Sequence, residues 1–123
     1  MNILLSKVHQ GVQVADVVLF QQQYSLTQQQ MSFLLNLSPK GYYNLLHRPS
    51  GKLDIPHSGK FLKLQQVFLE GEDALMSQEA FLEWLYQPHW YFDHRTPFEV
   101  LDNPIGADAV IEELGRTKYG ILS

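Results

Sequence analysis

The chain has 123 residues, an apolar fraction of 45%, no cysteine and a formal net charge of −4. A chain of this length forms one compact domain or two very small ones, and the lack of cysteine excludes disulfides, thiolate nucleophiles and cysteine-type zinc sites. No run approaches the roughly 18 apolar residues that a membrane span requires, and residues 1–20 lack the unbroken apolar stretch of a signal peptide, so we expect a cytoplasmic protein without a membrane partner.

Helical spacing of apolar residues begins near the N-terminus. Val14, Val17 and Val18 recur at helical intervals, although their β-branched side chains leave a strand open at this point. A second helix is predicted after Thr27, because Thr27 as N-cap and Gln30 three residues later form the pattern of a capping box. The apolar face of this second helix comprises Met31, Leu34 and Leu35.

Ser38-Pro39 marks the next helix start, since serine is a good N-cap and proline suits the first helical position. Residues 27–48 therefore have the proportions of a DNA-binding helix-turn-helix, and a plain helical hairpin in a small bundle explains the same pattern equally well. If DNA is the partner, Asn44 suits a base contact and the cations suit phosphates. The candidate DNA-binding residues are Lys40, Tyr43, Asn44, Arg48 and Lys52, with Lys60 and Lys63 as further phosphate contacts.

Two amphipathic helices are predicted next, one over residues 58–69 and one that begins after Ser77 and ends before Pro88. Their apolar faces are Phe61, Leu64, Val67 and Phe68 in the first, and Phe81, Leu82 and Leu85 in the second.

The stretch TPFEVLDNPIG, residues 96–106, contains two helix starts seven positions apart. Thr96 as N-cap and Glu99 at the third helical position predict a complete capping box, and Asn103-Pro104 restarts the chain. We expect a helix of about a turn and a half, then a longer helix from residue 104 to about 116 and a short apolar tail. Helices dominate the whole pattern, so the predicted fold class is all-α, a small helical protein.

Charge divides the chain into two parts. Residues 1–69 hold six Lys or Arg against two Asp or Glu, a formal +4, and residues 70–123 hold three against eleven, a formal −8. We therefore predict a basic N-terminal region, 1–69, and an acidic C-terminal domain, 70–123. Such a division indicates different partners for the two parts. Solvated helix faces explain it equally well, and the adjacent acids Glu112 and Glu113 fit that interpretation.

Motifs for catalysis are absent from the sequence. It has no phosphate-binding glycine loop, no H-E-x-x-H and no G-x-S-x-G, so we expect a protein that is not an enzyme and uses no cofactor or metal. His89, Asp93 and His94 lie close together in PHWYFDHR and leave a metal site as one interpretation. A surface loop of amphipathic side chains is the other.

An ordered set of motifs in the last third of the chain resembles the toxin-binding region of the Xre/MbcA/ParS antitoxins. The family pattern reads approximately W-L-x-x-P, then T-P-x-E-L-L-x-T-x-x-G, then V-x-x-x-L and a closing Y-G. It stands here as Trp84-Leu85-Tyr86-Gln87-Pro88, Thr96-Pro97-Phe98-Glu99-Val100-Leu101-Asp102-Asn103, Gly106, Val110, Leu114 and Tyr119-Gly120. The upstream segment LTQQQMSFLLNLSPKGYYNLL resembles the family's Xre-type helix-turn-helix. One departure is Asp93-His94, which stands where the family usually has a pair of glycines.

The resemblance implies an all-helical antitoxin of a type II toxin–antitoxin system, acting as a homodimer against a RES-type toxin that degrades NAD. It also implies that the C-terminal end enters the active site of the toxin and that the N-terminal module binds operator DNA to repress the operon. The toxin-binding residues that it implies are Trp84, Pro88, Arg95, Arg116, Lys118, Tyr119, Gly120, Ile121, Leu122 and Ser123. The alternative function is a DNA-binding transcriptional regulator without a toxin partner.

Overall fold

Helices make up the regular secondary structure of the residues described in this computed structural model, which are 2–48 and 51–122, the last two by their backbone alone. The predicted all-α class is confirmed. The α-helices of the described residues are α1 Ile3–Gln10, α2 Val14–Gln23, α3 Gln28–Leu34, α4 Pro39–Leu46, α5 Ile55–Leu75, α6 Gln78–Leu85 and α7 Pro104–Leu122. Single turns of 3-10 helix at Trp90–Phe92 and Phe98–Val100 stand between α6 and α7.

The chain divides into two compact units, Met1–Lys63 and Leu64–Ser123. Residues 64–69 carry no charge, so the C-terminal unit has the same formal charge, −8, as residues 70–123. Within the described part of the chain, no helix is both long and apolar enough to cross a membrane.

Two predicted helix starts of the N-terminal unit are confirmed by their caps. The Thr27 hydroxyl accepts from the Gln30 N–H at 3.0 Å, and the Gln30 side-chain oxygen accepts from the Thr27 N–H at 2.8 Å, which completes the capping box. Ser38 accepts from the Gly41 N–H at 2.9 Å. Between these starts Asn36 adopts a left-handed φ of 57°, so α3 and α4 flank a tight turn.

The N-terminal core is built largely from the predicted apolar faces. Val14 lies in α2, which decides the helix-or-strand alternative in favour of a helix, and Gln13 just before it pairs with Lys52 in an isolated β-bridge. Phe20 packs edge-on against Phe61, with ring centroids 5.3 Å apart. The buried apolar side chains of this unit include Val17, Phe20, Tyr24, Met31, Leu34, Leu35, Tyr42, Leu45 and Phe61.

Helix α5 begins before the predicted residue 58, because its N-cap is Asp54. The Asp54 carboxylate accepts from the His57 N–H at 2.9 Å, and this bond is the main cause that lowers the pKa of Asp54. Ser58 is instead buried, and its hydroxyl accepts from the Val12 N–H at 2.9 Å. The helix then continues past residue 69 to Leu75, so the charge boundary lies inside one helix rather than in a linker.

The C-terminal unit surrounds an aromatic core. Ser77 caps α6 as predicted, accepting from the Ala80 N–H at 3.0 Å. Phe81 of α6 then packs against Phe68 of α5, with centroids 5.1 Å apart. A methyl group added to Gly71 would overlap the Phe81 ring, so the two helices approach closely there. The buried apolar side chains of the unit include Leu64, Val67, Phe68, Phe81, Leu85, Phe92, Leu101, Ala107, Val110 and Leu114.

The predicted length of α7 is wrong, because the helix does not end near residue 116. It runs to Leu122, so residues 117–122 are helical and do not form an irregular tail. No proline interrupts this stretch, and Thr117 supports it with a hydroxyl bond to the Glu113 carbonyl at 2.9 Å. Ser123 and the side chains of residues 121 and 122 lie outside what the structure describes.

Candidate functional site

Residues 89–95, here called loop 89–95, form a closely bonded loop after α6. The His89 N–H donates to the Arg95 carbonyl at 3.0 Å, and the His94 N–H donates to the His89 carbonyl at 3.1 Å, which closes the base of the loop. Phe92 is buried at its centre, whereas Trp90 is 72% exposed. The loop is thus a rigid element that presents an indole to solvent.

Two neighbouring residues of the loop have left-handed backbone conformations. The φ angle is 55° at Asp93 and 64° at His94. This is the region that glycine favours, and the resemblance assigns a glycine pair to this point of the family pattern. Asp and His enter the region more readily than most other residues, so this loop has a backbone that suits a glycine pair without containing glycine.

An ion-pair cluster fixes the loop to α7. The Arg116 guanidinium donates to Glu113 at 2.8 and 3.0 Å and lies 4.3 Å from the centroid of the Tyr91 ring. Tyr91 first, and then Glu113, raise the pKa of Arg116 above its usual value. Glu113 is only 7% exposed, so its assignment to a solvated face is wrong. Its neighbour Glu112 is exposed and also pairs with Arg116, at 3.1 Å.

His89 connects the loop to the same carboxylate. Its Nδ1 accepts from the Tyr91 N–H at 3.1 Å, so in the neutral ring the proton is on Nε2. That nitrogen lies 3.8 Å from the Glu113 carboxylate. Loop 89–95 and α7 are therefore held together by a shared set of polar and aromatic contacts.

Residues 96–106, here called the corner, connect loop 89–95 to α7 and contain the two predicted helix starts. The Thr96 hydroxyl accepts from the Glu99 N–H at 3.1 Å. Both residues are described, and the second bond of the predicted capping box, from the Thr96 N–H to the Glu99 carboxylate, does not form. A single 3-10 turn at Phe98–Val100 replaces the predicted helix of a turn and a half. The second start is confirmed, since the Asn103 side chain accepts from the Gly106 N–H at 2.8 Å.

Close packing makes Gly106 essential to the corner. A methyl group on Gly106 would overlap the carbonyl oxygen of Val100. The glycine that ends the second family motif is therefore required by the contact between the 3-10 turn and the first turn of α7.

The C-terminal end of α7 carries the remaining residues that the resemblance implied. Lys118 donates to Asp73 of α5 at 2.6 Å, and this bond raises the pKa of Lys118. Tyr119 is 73% exposed and Gly120 is also exposed. Tyr119 borders a groove of about 220 Å³ lined by Glu70, Asp73, Ala74, Leu114, Gly115, Lys118 and Tyr119.

The other implied toxin-binding residues have different environments. Trp84 is part of the aromatic packing, with its ring near those of Phe81 and Phe92 at 6.3 and 6.4 Å. Pro88 and Arg95 are exposed. The structure thus brings Arg116 and Tyr119 together on one helix, one turn apart, and places the half-buried Trp84 in the aromatic packing of the unit.

The candidate DNA-binding residues lie on or near α4 in the N-terminal unit. Lys40, Tyr43 and Asn44 are exposed, as predicted from the helical spacing. Tyr43 stacks on His47, with ring centroids 4.2 Å apart. Arg48 lies 3.9 Å from Asp54. Lys52 is exposed and belongs to the β-bridge.

Several residues of the site were not predicted from the sequence. Glu113 is paired with Arg116 at a spacing of three along a helix, a signal that the sequence does contain. Trp90 and Tyr91 stand next to each other in a loop, and a large aromatic pair in a short exposed segment is also a readable signal. Across the described residues, His89, Asp93 and His94 do not join a group of three or more potential metal ligands.

Residues 63–120 match a family described as the antitoxin Xre/MbcA/ParS C-terminal toxin-binding domain. This part of the chain is similar to that family. The matched region begins at residue 63, one residue before the start of the C-terminal unit. It includes loop 89–95, the corner and most of α7. The toxin-binding domain implies a toxin as partner, and the family is one of antitoxins rather than enzymes. A comparison with curated proteins gave no match.

Proposed function

We propose that the chain is the antitoxin of a type II toxin–antitoxin system that neutralises a RES-type, NAD-degrading toxin. The observation that carries this proposal is the family match over residues 63–120. In this mechanism the C-terminal end of the chain, from Tyr119 to Ser123, lies at the active site of the toxin and blocks access of the substrate.

Charge supports this choice of partner. The C-terminal unit has a formal charge of −8, whereas a cleft that binds an anionic dinucleotide is expected to be basic. Opposite charges across an interface raise the rate of association and disfavour wrong partners. The exposed aromatic ring of Tyr119 near the end of a helix has the shape and chemistry required to enter a pocket.

Co-expression with the neighbouring reading frame tests the proposal. We expect that frame to encode a protein that stops growth and lowers cellular NAD, and we expect the wild-type chain to restore both. Deletion of residues 119–123 should abolish protection. An Ile105→Ala variant is the control, because Ile105 is 83% exposed at the other end of α7. A neighbour without toxicity, or full protection by the truncated chain, would contradict the proposal.

We also propose that the N-terminal unit binds operator DNA and that the antitoxin acts as a homodimer. The observation that favours DNA binding is the pair α3 and α4 around a tight turn, with Lys40, Tyr43 and Asn44 exposed on α4. A transcriptional regulator without a toxin is the alternative that shares this unit.

Mobility shift on the promoter of the chain's own gene tests DNA binding. The affinity should fall steeply between about 50 and 200 mM salt, because phosphate contacts release counterions. Asn44→Ala should lower the preference for the promoter over unrelated DNA, and Lys40→Ala should weaken binding to both. The solution mass should be about twice the 14.2 kDa of one chain. No shift at low salt would contradict the DNA-binding role.

A further inference from the structure

Trp90 is an exposed aromatic residue in loop 89–95. It lies outside residues 119–123, the segment proposed to enter the active site of the toxin. It is 72% exposed, and the packing of its loop is supplied by Phe92, which is 7% exposed. An exposed indole on a rigid loop is costly to leave in water, and interfaces commonly use such a side chain.

The indole is continuous with the end of α7. The rings of Trp90 and Tyr91 lie 5.8 Å apart, and Arg116 lies over the Tyr91 ring at 4.3 Å. Tyr119 is three residues beyond Arg116 and therefore its neighbour on the helix surface. These four residues, here called the aromatic strip, extend from loop 89–95 to the proposed blocking segment.

Resting on the proposed function, we propose that the aromatic strip is a single contact surface for the toxin, with Trp90 as its main anchor. Trp, Tyr and Arg are the residue types that carry most binding energy at interfaces. The bonds that close loop 89–95 reduce the ordering cost on binding, because the indole is already in place. The partner surface is an apolar pocket of indole size beside the cleft that receives the end of α7.

Within the aromatic strip, Arg116 acts chiefly as a positioning residue. Its guanidinium is engaged by Glu112, Glu113 and the Tyr91 ring, so it acts by holding the loop against α7. A lysine keeps the charge but loses the planar stacking and the two-pronged bond.

Binding of the full-length chain to the purified toxin of the neighbouring reading frame tests the anchor. We expect Trp90→Ala to weaken binding by about 30-fold or more, and the control Ile105→Ala to remain within about twofold of the wild type. A second measurement reports contact directly. The chain has two tryptophans, so 5-fluorotryptophan labelling gives two fluorine signals, assigned with Trp90→Phe, and the Trp90 signal should shift when the toxin is added.

The outcomes separate the two proposals. If the wild-type chain does not bind the toxin, the proposed function fails and this inference fails with it. If the wild type binds, while Trp90→Ala binds equally well and the Trp90 signal does not move, this inference alone is wrong. A variant that unfolds is recognised by its circular dichroism, and the fluorine signal of the wild-type complex still decides.

A double-mutant cycle tests the role of Arg116. Arg116→Lys should weaken toxin binding by about threefold to tenfold in the wild-type background and by less than about twofold when Trp90 is already alanine. If Arg116 only supported the fold as a whole, Arg116→Lys would weaken binding equally in the wild-type and Trp90→Ala backgrounds. Equal effects would therefore overturn the positioning role.

Discussion

Asp93 and His94 hold a backbone conformation that their side chains do not favour. Left-handed φ values cost roughly 1–2 kcal/mol for most residues with a β-carbon, and less for Asp and His. Both side chains are exposed. The cost is therefore carried by the contacts around them, namely the bonds at the base of loop 89–95 and the burial of Phe92.

Glycine at either position should stabilise the protein. We expect Asp93→Gly and His94→Gly each to raise the free energy of unfolding by up to about 0.5 kcal/mol, because relief of the left-handed strain slightly exceeds the added entropy of the unfolded chain. Urea denaturation measures the change. Asp93→Ala is the control and should lower stability, since alanine lacks the tolerance of aspartate for this region. An unchanged or lower midpoint for both glycine variants would contradict the account.

The Asp54 carboxylate caps the N-terminus of helix α5. We expect Asp54→Ala to lower the free energy of unfolding by about 0.5–2 kcal/mol at neutral pH. Because the pKa of Asp54 is lower in the folded than in the unfolded protein, its charge stabilises the fold above the ordinary carboxyl pKa. That stabilisation is lost as the pH falls through the lower, folded-state value.

Thermal melts from about pH 7 to pH 2 measure this dependence. The difference between wild type and Asp54→Ala should shrink towards low pH. Asp54→Asn is the matched control, because asparagine caps a helix without a charge and should remove the pH-dependent part alone. A difference that stays constant to pH 2 would show that the carboxylate charge plays no part.

Local signals made four helix starts readable from the sequence, whereas α5 begins before its predicted start and the end of α7 depended on packing. Thr27, Ser38, Ser77 and Asn103 all cap the helices that they were expected to begin. The extension of α7 to Leu122 was not readable, because a helix end without proline is decided by its neighbours in the fold, such as Asp73 beside Lys118.

The candidate site was predictable only in part, because it also depends on how distant residues pack together. Resemblance led to Arg116 and Tyr119, and spacing led to the exposed side of α4. The burial of Glu113 depends on His89 and Arg116 converging on it from a loop and a helix, and adjacent acids in a sequence do not reveal that. Trp90 was missed although it stands beside Tyr91 and Phe92, because residues in a loop have no periodicity that separates the exposed ring from the buried one.

Two glycines of α7 should respond in opposite ways to the same substitution. Gly106→Ala should lower the free energy of unfolding by at least about 2 kcal/mol, because the added methyl overlaps the backbone oxygen of Val100, which cannot move aside as a side chain would. Gly115→Ala meets open space and should raise it by about 0.5–1 kcal/mol through helix propensity. Equal responses at the two sites, measured by urea denaturation, would contradict the close contact at the corner.

The distribution of charge over the whole molecule is compatible with two partners of opposite character. The N-terminal unit has a formal charge of +4 and the C-terminal unit −8. Phosphate-rich DNA suits the first and a basic protein cleft suits the second. Neither unit needs the other's charge for its own proposed contact.

Salt should therefore slow the association of the antitoxin with its toxin. We expect the association rate to fall by about tenfold between 50 and 500 mM salt, while the dissociation rate changes by less than about threefold, because screening acts mainly on the encounter. Stopped-flow mixing measures both rates. Glu79→Gln combined with Glu83→Gln, two exposed acids on α6, should reduce the salt dependence. An association rate independent of salt would contradict electrostatic steering.

The unbroken helix α7 also links the position of its far end to the close packing of Gly106 at its base. The part of the helix between Gly106 and Tyr119 spans roughly 20 Å, so a tilt of about 10° at the base displaces Tyr119 by roughly 3 Å. A displacement of that size would move Tyr119 out of any pocket shaped to receive it. In the proposed mechanism, the precision of blocking depends on the contact between Gly106 and Val100 at the base of α7. Variants at these two positions that still fold should therefore lose neutralising power, although neither residue is proposed to touch the toxin.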